Sequence, residues 1–136
     1  MIGKDSRPSE NHIRRSREYV EFLVPALREI ARRRGYALTM HGSFERDIDL
    51  VACPWTDQAT APDGLVADFF RACEIVCGFA TWPGNWTEGK FDPPSGSLPN
   101  PERKPHGRLG YSILLPAGPY LDISVMPRVE SKPEAT

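Results

Sequence analysis

Two aspartates separated by one apolar residue follow a Gly-Ser pair in the segment HGSFERDIDL, residues 41–50. If Asp47 and Asp49 lie on a β-strand, the two-residue period of the strand puts both carboxylates on one face. Two carboxylates this close repel each other unless a proton or a cation neutralises them. Mg²⁺ or Mn²⁺ would keep both ionised at neutral pH, since hard cations prefer oxygen ligands. Gly42 and Ser43 can offer backbone N–H groups and a hydroxyl to phosphate oxygens. The pattern therefore predicts metal-dependent chemistry on a phosphorylated substrate.

A third acid, Asp122, lies in an otherwise apolar strand pattern near the end of the chain. An isolated buried carboxylate is costly, so this one needs a functional or structural reason. If its strand lies beside the strand of Asp47 and Asp49, in register, all three carboxylates meet on one sheet face. Two would then hold metal, and the third would bind metal or accept a proton from an attacking hydroxyl. An ordinary aspartate, with a pKa of about 3.9, is a weak base, so a neighbouring cation would help mainly by acidifying the bound hydroxyl.

Basic residues flank these acids, and each has two interpretations. Arg46 could bind phosphate or pair with a neighbouring acid, and His41 could be structural or catalytic. Lys104, His106 and Arg108 precede the next-to-last predicted strand, where they could contact phosphate oxygens or remain exposed loop charges. Arginine can bind such oxygens in a bidentate manner. We take Arg46, His106 and Arg108 as candidate substrate-binding residues, together with the Gly-Ser pair.

The hydrophobic pattern predicts helices and strands that would position these residues. A helical stripe of apolar residues runs from Ile13 to Ala31, with Ser9 or Asn11 as N-cap and Gly35 as the stop. Pro25 predicts a kink in this helix or a break into two helices. A second helix is expected over residues 62–77, with Pro62 in its first turn and Gly78 as its stop. Its buried stripe would consist of Leu65, Val66, Phe69, Cys73, Val76 and Cys77. Four strands are expected, over residues 36–40, 47–53, 108–115 and 120–126.

The segment 78–107 is rich in proline and glycine, so regular structure is not expected there. A loop this long in a compact domain is usually functional or disordered. Trp82, Trp86 and Phe91 argue against full disorder, because such aromatic residues normally bury area. They could pack over the sheet, or they could line a surface that binds a base or a partner.

Composition limits the class of protein. The 136 residues suffice for one domain with one core, and a hydrophobic fraction of 40% with a net charge of −1 is ordinary for a soluble protein. We expect a flexible arm at residues 1–9, one domain at 10–128 and a flexible tail at 129–136. Arginines crowd the first quarter, where they form either a solvated helix face or a binding surface; residues 14–34 contain Arg14, Arg15, Arg17, Arg28, Arg32, Arg33 and Arg34.

No signal peptide or membrane-spanning stretch is evident, since Met1 is followed by a polar segment. The cysteines are Cys53, Cys73 and Cys77, an odd number that indicates reduced thiols. Cys73 and Cys77 fall in the apolar pattern of a helix, so core packing is favoured over metal ligation. We therefore expect a cytoplasmic protein that does not interact with membranes.

The segment Gly-Ser-Phe-Glu-Arg followed by Asp-Ile-Asp-Leu resembles the signature of the DNA polymerase β-like nucleotidyltransferase superfamily, especially its minimal members. The resemblance implies an α/β (α+β) fold, with a mixed or antiparallel sheet of about four strands and two to three helices on one face. It also implies Mg²⁺-dependent transfer of a nucleoside monophosphate from a nucleoside triphosphate to an acceptor hydroxyl. Gly42 and Ser43 would hold the triphosphate, Asp47 and Asp49 would ligate the metals, and Asp122 would activate the acceptor.

One departure from that family concerns spacing. Only Phe44, Glu45 and Arg46 separate the Gly-Ser pair from the acidic pair, whereas family members usually have a longer segment with a short helical turn. The triphosphate site would then be reduced, shifted or absent. Three functions follow: a nucleotidyltransferase acting on a protein, small-molecule or nucleic-acid acceptor, a catalytically reduced module that binds a nucleotide or partner, or a phosphodiester hydrolase.

Overall fold

The computed structural model describes residues 9–44, 46–82, 86–87, 90–91 and 98–128. Within these ranges the chain forms three α-helices, α1 (Glu10–Phe22), α2 (Val24–Arg33) and α3 (Pro62–Cys77). The strands are β1 (Tyr36–His41), β2 (Asp47–Pro54), β3 (Trp86–Thr87), β4 (Lys90–Phe91), β5 (Glu102–Arg103), β6 (Leu109–Leu114) and β7 (Tyr120–Val125). This mixed composition confirms the predicted α+β class. None of the described helices is long and apolar enough to cross a membrane.

The main sheet has five strands in the order β1-β2-β7-β6-β5. β2 and β7 run parallel, and every other neighbouring pair is antiparallel. The fifth strand, β5, is an addition to the four that were predicted. The helices contribute their buried residues to one core with the sheet, so the sheet has a covered face and an open one. The fully or nearly fully buried strand residues are Tyr36, Leu38, Ile48, Leu50, Ala52, Tyr111, Ile113, Leu121, Ile123 and Val125.

The first helical region divides in two, as Pro25 predicted. Ser9 caps α1 by accepting a hydrogen bond from the backbone N–H of His12 at 3.1 Å. Leu23 separates the helices, and Pro25 lies in the first turn of α2, where its missing N–H costs nothing. Gly35 then ends α2 with φ of +84°, a conformation that favours glycine.

The helix α3 begins at Pro62 and ends before Gly78, whose φ is +94°. Cys73 is buried, and burial raises the pKa of its thiol to about 12, which agrees with core packing. Val76, which the sequence pattern placed in the buried stripe, is 40% exposed. That prediction was wrong, because Cys77 is the residue of the last helical turn that packs against the core, and Val76 beside it faces away.

The proline-rich segment 78–107 contains more regular structure than the sequence suggested. Thr81 exchanges two backbone hydrogen bonds with Leu114, at 3.2 and 2.8 Å. Trp82 is buried and stacks on Phe70 with a centroid separation of 4.4 Å, so packing is confirmed for this aromatic residue. The short strand β5 then pairs with β6 at the edge of the sheet.

Several sequence predictions fall outside the described residues. They concern residues 1–8 of the arm, the tail at 129–136 and the side chains of Trp86 and Phe91.

Candidate functional site

The three aspartates lie on neighbouring strands and on the same, open face of the sheet. Ile48 and Leu50 of β2 point into the core, so Asp47 and Asp49 must lie on the opposite face. β7 has the same alternation, and its parallel register places Asp122 directly beside Asp49. The structure therefore brings together the acids that the sequence singled out, because β2 and β7 are adjacent.

Asp122 is held by a neighbour on β6. Ser112 is its register partner, and the Ser112 hydroxyl donates a hydrogen bond to Asp122 Oδ1 at 2.6 Å. Burial raises the pKa of the Asp122 carboxyl, an effect that the Ser112 hydrogen bond opposes. The charges of Asp47 and Asp49 raise this pKa further, and the ammonium of Lys104 lowers it. The carboxylate is thus partly desolvated within a cluster of like charges.

Asp49 has a similar environment on the other side of the pair. Burial raises the pKa of its carboxyl, the neighbouring His41 lowers it, and Asp47 raises it. His41 is the register partner of Asp49 on β1. Gly42 follows with φ of +95°, and a Cβ at this position would lie 3.1 Å from Asp49 Oδ2. A glycine here therefore permits both the turn and its close approach to the carboxylate.

Asp47 and the loop before it occupy the edge of the site. The backbone N–H of Tyr120 donates to Asp47 Oδ1 at 3.3 Å, which ties the start of β2 to the start of β7. In the loop, Phe44 has φ of +62°, and the backbone carbonyl of Arg46 lies 2.6 Å from His12 Nε2. The loop residues 42–44 and 46 form no helical turn, so the phosphate-binding turn of the resembled family is not seen in the part of the loop that the structure describes. Ser43, also exposed, lies in this loop.

Basic side chains reach the open face from the β5–β6 side. Lys104 and Arg108 line a cavity of about 400 Å³ that they share with Asp49 and Asp122. Arg108 Nη1 lies 3.4 Å from the hydroxyl of Ser124. His106 and Arg46, although predicted to bind substrate, are exposed and do not line this cavity.

The carboxylate oxygens on the open face of the sheet are suitable ligands for a hard divalent cation. Among the described residues, no group of three His, Cys, Asp or Glu side chains is arranged to hold a metal ion. Mg²⁺, however, is commonly held by one or two carboxylates, with water and substrate phosphates completing its octahedron. The adjacent carboxylates of Asp49 and Asp122 meet that requirement, with Asp47 nearby on the same strand face.

Ser112 and Ser124 are site residues that the sequence predictions did not include. Ser112 is a polar residue between buried Tyr111 and Ile113, so strand alternation alone puts it on the open face. Its pairing with Asp122 depends on the register of β6 with β7, which composition and spacing do not specify.

No protein-family model, curated protein or solved structure matches this chain.

Proposed function

We propose that this protein is a metal-dependent nucleotidyltransferase, which transfers a nucleoside monophosphate from a nucleoside triphosphate to an acceptor hydroxyl and releases pyrophosphate. The observation that carries the proposal is the register of β2 with β7, which aligns Asp49 with Asp122 and leaves Asp47 on the same face. The resemblance of the Gly-Ser and Asp-Ile-Asp-Leu segments to that superfamily supports the same chemistry. The acceptor would be a protein, a small molecule or a nucleic-acid end.

Each acid has a role in this proposal. Asp47, Asp49 and Asp122 would hold Mg²⁺ or Mn²⁺, which when bound neutralises the carboxylates and acidifies a hydroxyl. Ser112 fixes the orientation of Asp122 by occupying Oδ1, so Oδ2 is the oxygen left for a metal or an acceptor hydroxyl. Half-burial of Asp49 and Asp122 strengthens their interaction with a cation, because fewer waters compete. We also propose a cytoplasmic location, where reducing conditions keep the free cysteines as thiols.

Calorimetric titration with Mg²⁺ and a non-hydrolysable nucleoside triphosphate tests this proposal. We expect Asp49→Asn to weaken Mg²⁺-dependent nucleotide binding by about tenfold or more, the effect of losing one charge-assisted contact. Asp57→Asn is the matched control, since Asp57 is an exposed aspartate in the loop after β2. If the folded wild-type protein binds no nucleotide in Mg²⁺, the proposal is wrong.

Transfer itself requires a labelled triphosphate and a panel of acceptors. A labelled adduct that disappears in Asp122→Asn indicates transfer, whereas free labelled products alone indicate a phosphodiester hydrolase.

A catalytically reduced module that binds a nucleotide or a partner is the second candidate. It is favoured by the short loop before β2, which lacks a helical turn in its described residues, and by the absence of a three-ligand metal group among the described side chains. This candidate predicts a nucleotide or partner complex that survives Asp122→Ala, with no labelled adduct from any acceptor. Loss of that complex in the variant would argue against the reduced module.

A further inference from the structure

We infer that Lys104 and Arg108 bind the phosphate chain of the substrate on the β5–β6 side of the cavity, replacing the Gly-Ser loop in that role. The inference deepens the proposed function, and it rests on that function only for the identity of the substrate. The subsite itself would bind any short inorganic polyphosphate when the neighbouring acids are neutralised.

The backbone places both residues at one point of the sheet edge. The N–H of Lys104 donates to the carbonyl of Arg108 at 3.0 Å, which closes the turn Pro105–Gly107 between β5 and β6. His106 and Gly107 adopt positive φ values of 67° and 75° in this turn. The two basic residues therefore leave the turn side by side, while His106 at its tip does not line the cavity.

Gly110 makes room for the lysine on the open face. A Cβ at Gly110 would lie 2.5 Å from Lys104 Cε and 3.3 Å from Cδ, so the lysine stem lies directly over the glycine. Gly110 pairs with Ser124, two residues beyond Asp122 on β7. The ammonium is 3.7 Å from Glu102 Oε2 in a solvent-exposed pair, which is weak enough to exchange for a phosphate.

Arg108 is oriented toward the same cavity, and some of its N–H donors remain available to a ligand. Its Nε donates to the carbonyl of Pro105 at 3.3 Å, and its Nη1 lies 3.4 Å from Ser124 Oγ. A guanidinium has five N–H donors, so these two long contacts leave a fork that matches phosphate oxygens. Along β7 the cavity passes from the carboxylate of Asp122 to the arginine-bound hydroxyl of Ser124 within two residues.

This arrangement of charge matches a phosphate chain that carries a divalent cation. The cation would lie against Asp49 and Asp122, and the remaining phosphate oxygens would face Lys104 and Arg108. The described part of the Gly-Ser loop offers no basic side chain to the cavity, because the Arg46 side chain is exposed and does not line it. Without a cation, the carboxylates would repel the phosphate chain.

Calorimetric titration with inorganic tripolyphosphate in Mg²⁺ buffer tests the subsite without a nucleotide. We expect Lys104→Gln and Arg108→Gln each to weaken binding about tenfold, as one charge-assisted contact is lost. Gly110→Ala should weaken it similarly, because the new methyl group displaces the lysine stem while leaving the charge present. The lysine can move away, since the atoms closest to the new methyl group belong to the far end of a flexible side chain, and the backbone oxygen of Glu102 lies at an ordinary contact distance of 3.6 Å.

Two control variants match these changes. Arg103→Gln removes an exposed charge from β5 that lines a different cavity. Gly64→Ala creates an equivalent contact, 2.5 Å from Arg34 Nη1, on α3. Both should bind tripolyphosphate as the wild type does.

A second arm of this experiment is a titration with tripolyphosphate in the absence of metal. In the Asp49→Asn, Asp122→Asn double variant, tripolyphosphate should bind in the presence of a chelator, because neutral amides do not repel it. Wild-type affinity in Lys104→Gln, or no tripolyphosphate binding in either arm, would overturn the inference. Lys104-dependent binding by a protein that transfers no nucleotide would instead refute the transferase and leave the subsite standing.

Discussion

The neighbouring carboxylates of the open face oppose folding once they are ionised. Burial and the charge of Asp47 raise the pKa of Asp49 above its ordinary value of 3.8. The folded protein therefore binds this proton more tightly than the unfolded chain does. The stabilisation that results is complete below the ordinary pKa and is lost as pH rises through the raised pKa. The site is thus least favourable to folding at neutral pH, where a cation would bind it best.

Asp49→Asn should consequently stabilise the protein without metal at pH 7. We expect a gain of about 0.5 kcal/mol in the free energy of unfolding, the scale of cross-strand charge effects. The gain should vanish near pH 3, about one unit below the usual carboxyl pKa, because the Asp49 carboxyl is then protonated. Urea denaturation at the two pH values measures it. Asp57→Asn is the control and should change little, and equal stability of Asp49→Asn and wild type at pH 7 would contradict the repulsion.

Glycines end the helices α2 and α3, and the first of them turns the chain toward the site. Gly35 ends α2 with φ of +84° and turns the chain into β1, which carries His41 at its far end. A Cβ at Gly35 would lie 2.6 Å from Thr56 Oγ1 and 2.7 Å from the Cα of Ala59. Gly78 ends α3 with a similar φ of +94°, but a Cβ there would contact nothing within 4 Å.

These two glycines allow conformational cost to be separated from steric cost. Gly78→Ala should lower the free energy of unfolding by about 1 kcal/mol, the cost of a left-handed alanine. Gly35→Ala should lose about 3 kcal/mol, because backbone atoms of Ala59 cannot move away as a side chain would. Thermal and urea denaturation give both values. Equal losses in the two variants would show that the contact with Ala59 relaxes freely.

The strand β2 contributes side chains to both the core and the candidate site. Ile48 and Leu50 are buried against the helices, while the aspartates beside them face away. Tyr19 reinforces the covered side, since its hydroxyl donates to the carbonyl of Pro116 at 2.8 Å in the turn between β6 and β7. The open side carries the carboxylates and the two basic residues. The sheet therefore separates stabilising contacts from charged ones by strand alternation alone.

Much of this arrangement follows from local sequence, and the remainder depends on long-range pairing. The alternation in β2 and β7 predicts which face carries Asp47 and Asp122, and Pro25 predicts the helix break. The pairing of Ser112 with Asp122 and the position of Lys104 over Gly110 could not be predicted, because both depend on the register of three strands. The regular structure within segment 78–107 could not be predicted from local sequence either, because Thr81 and β5 acquire it by pairing with β6.

If the two faces are energetically separate, core and site substitutions should have independent effects. Ile48→Val removes one methylene from a fully buried side chain and should lower the free energy of unfolding by about 1 kcal/mol. Mg²⁺-dependent nucleotide affinity should not change, because strand pairing fixes both flanking aspartates: Asp49 pairs with β1 and β7, and Asp47 pairs with Tyr120 of β7. Ile123→Val, next to Asp122, should behave in the same way, whereas Asp49→Asn should show the reverse: no loss of stability and weaker binding. Calorimetry and urea denaturation on the same samples decide the matter, and a fall in nucleotide affinity in either valine variant would show that core packing tunes the site.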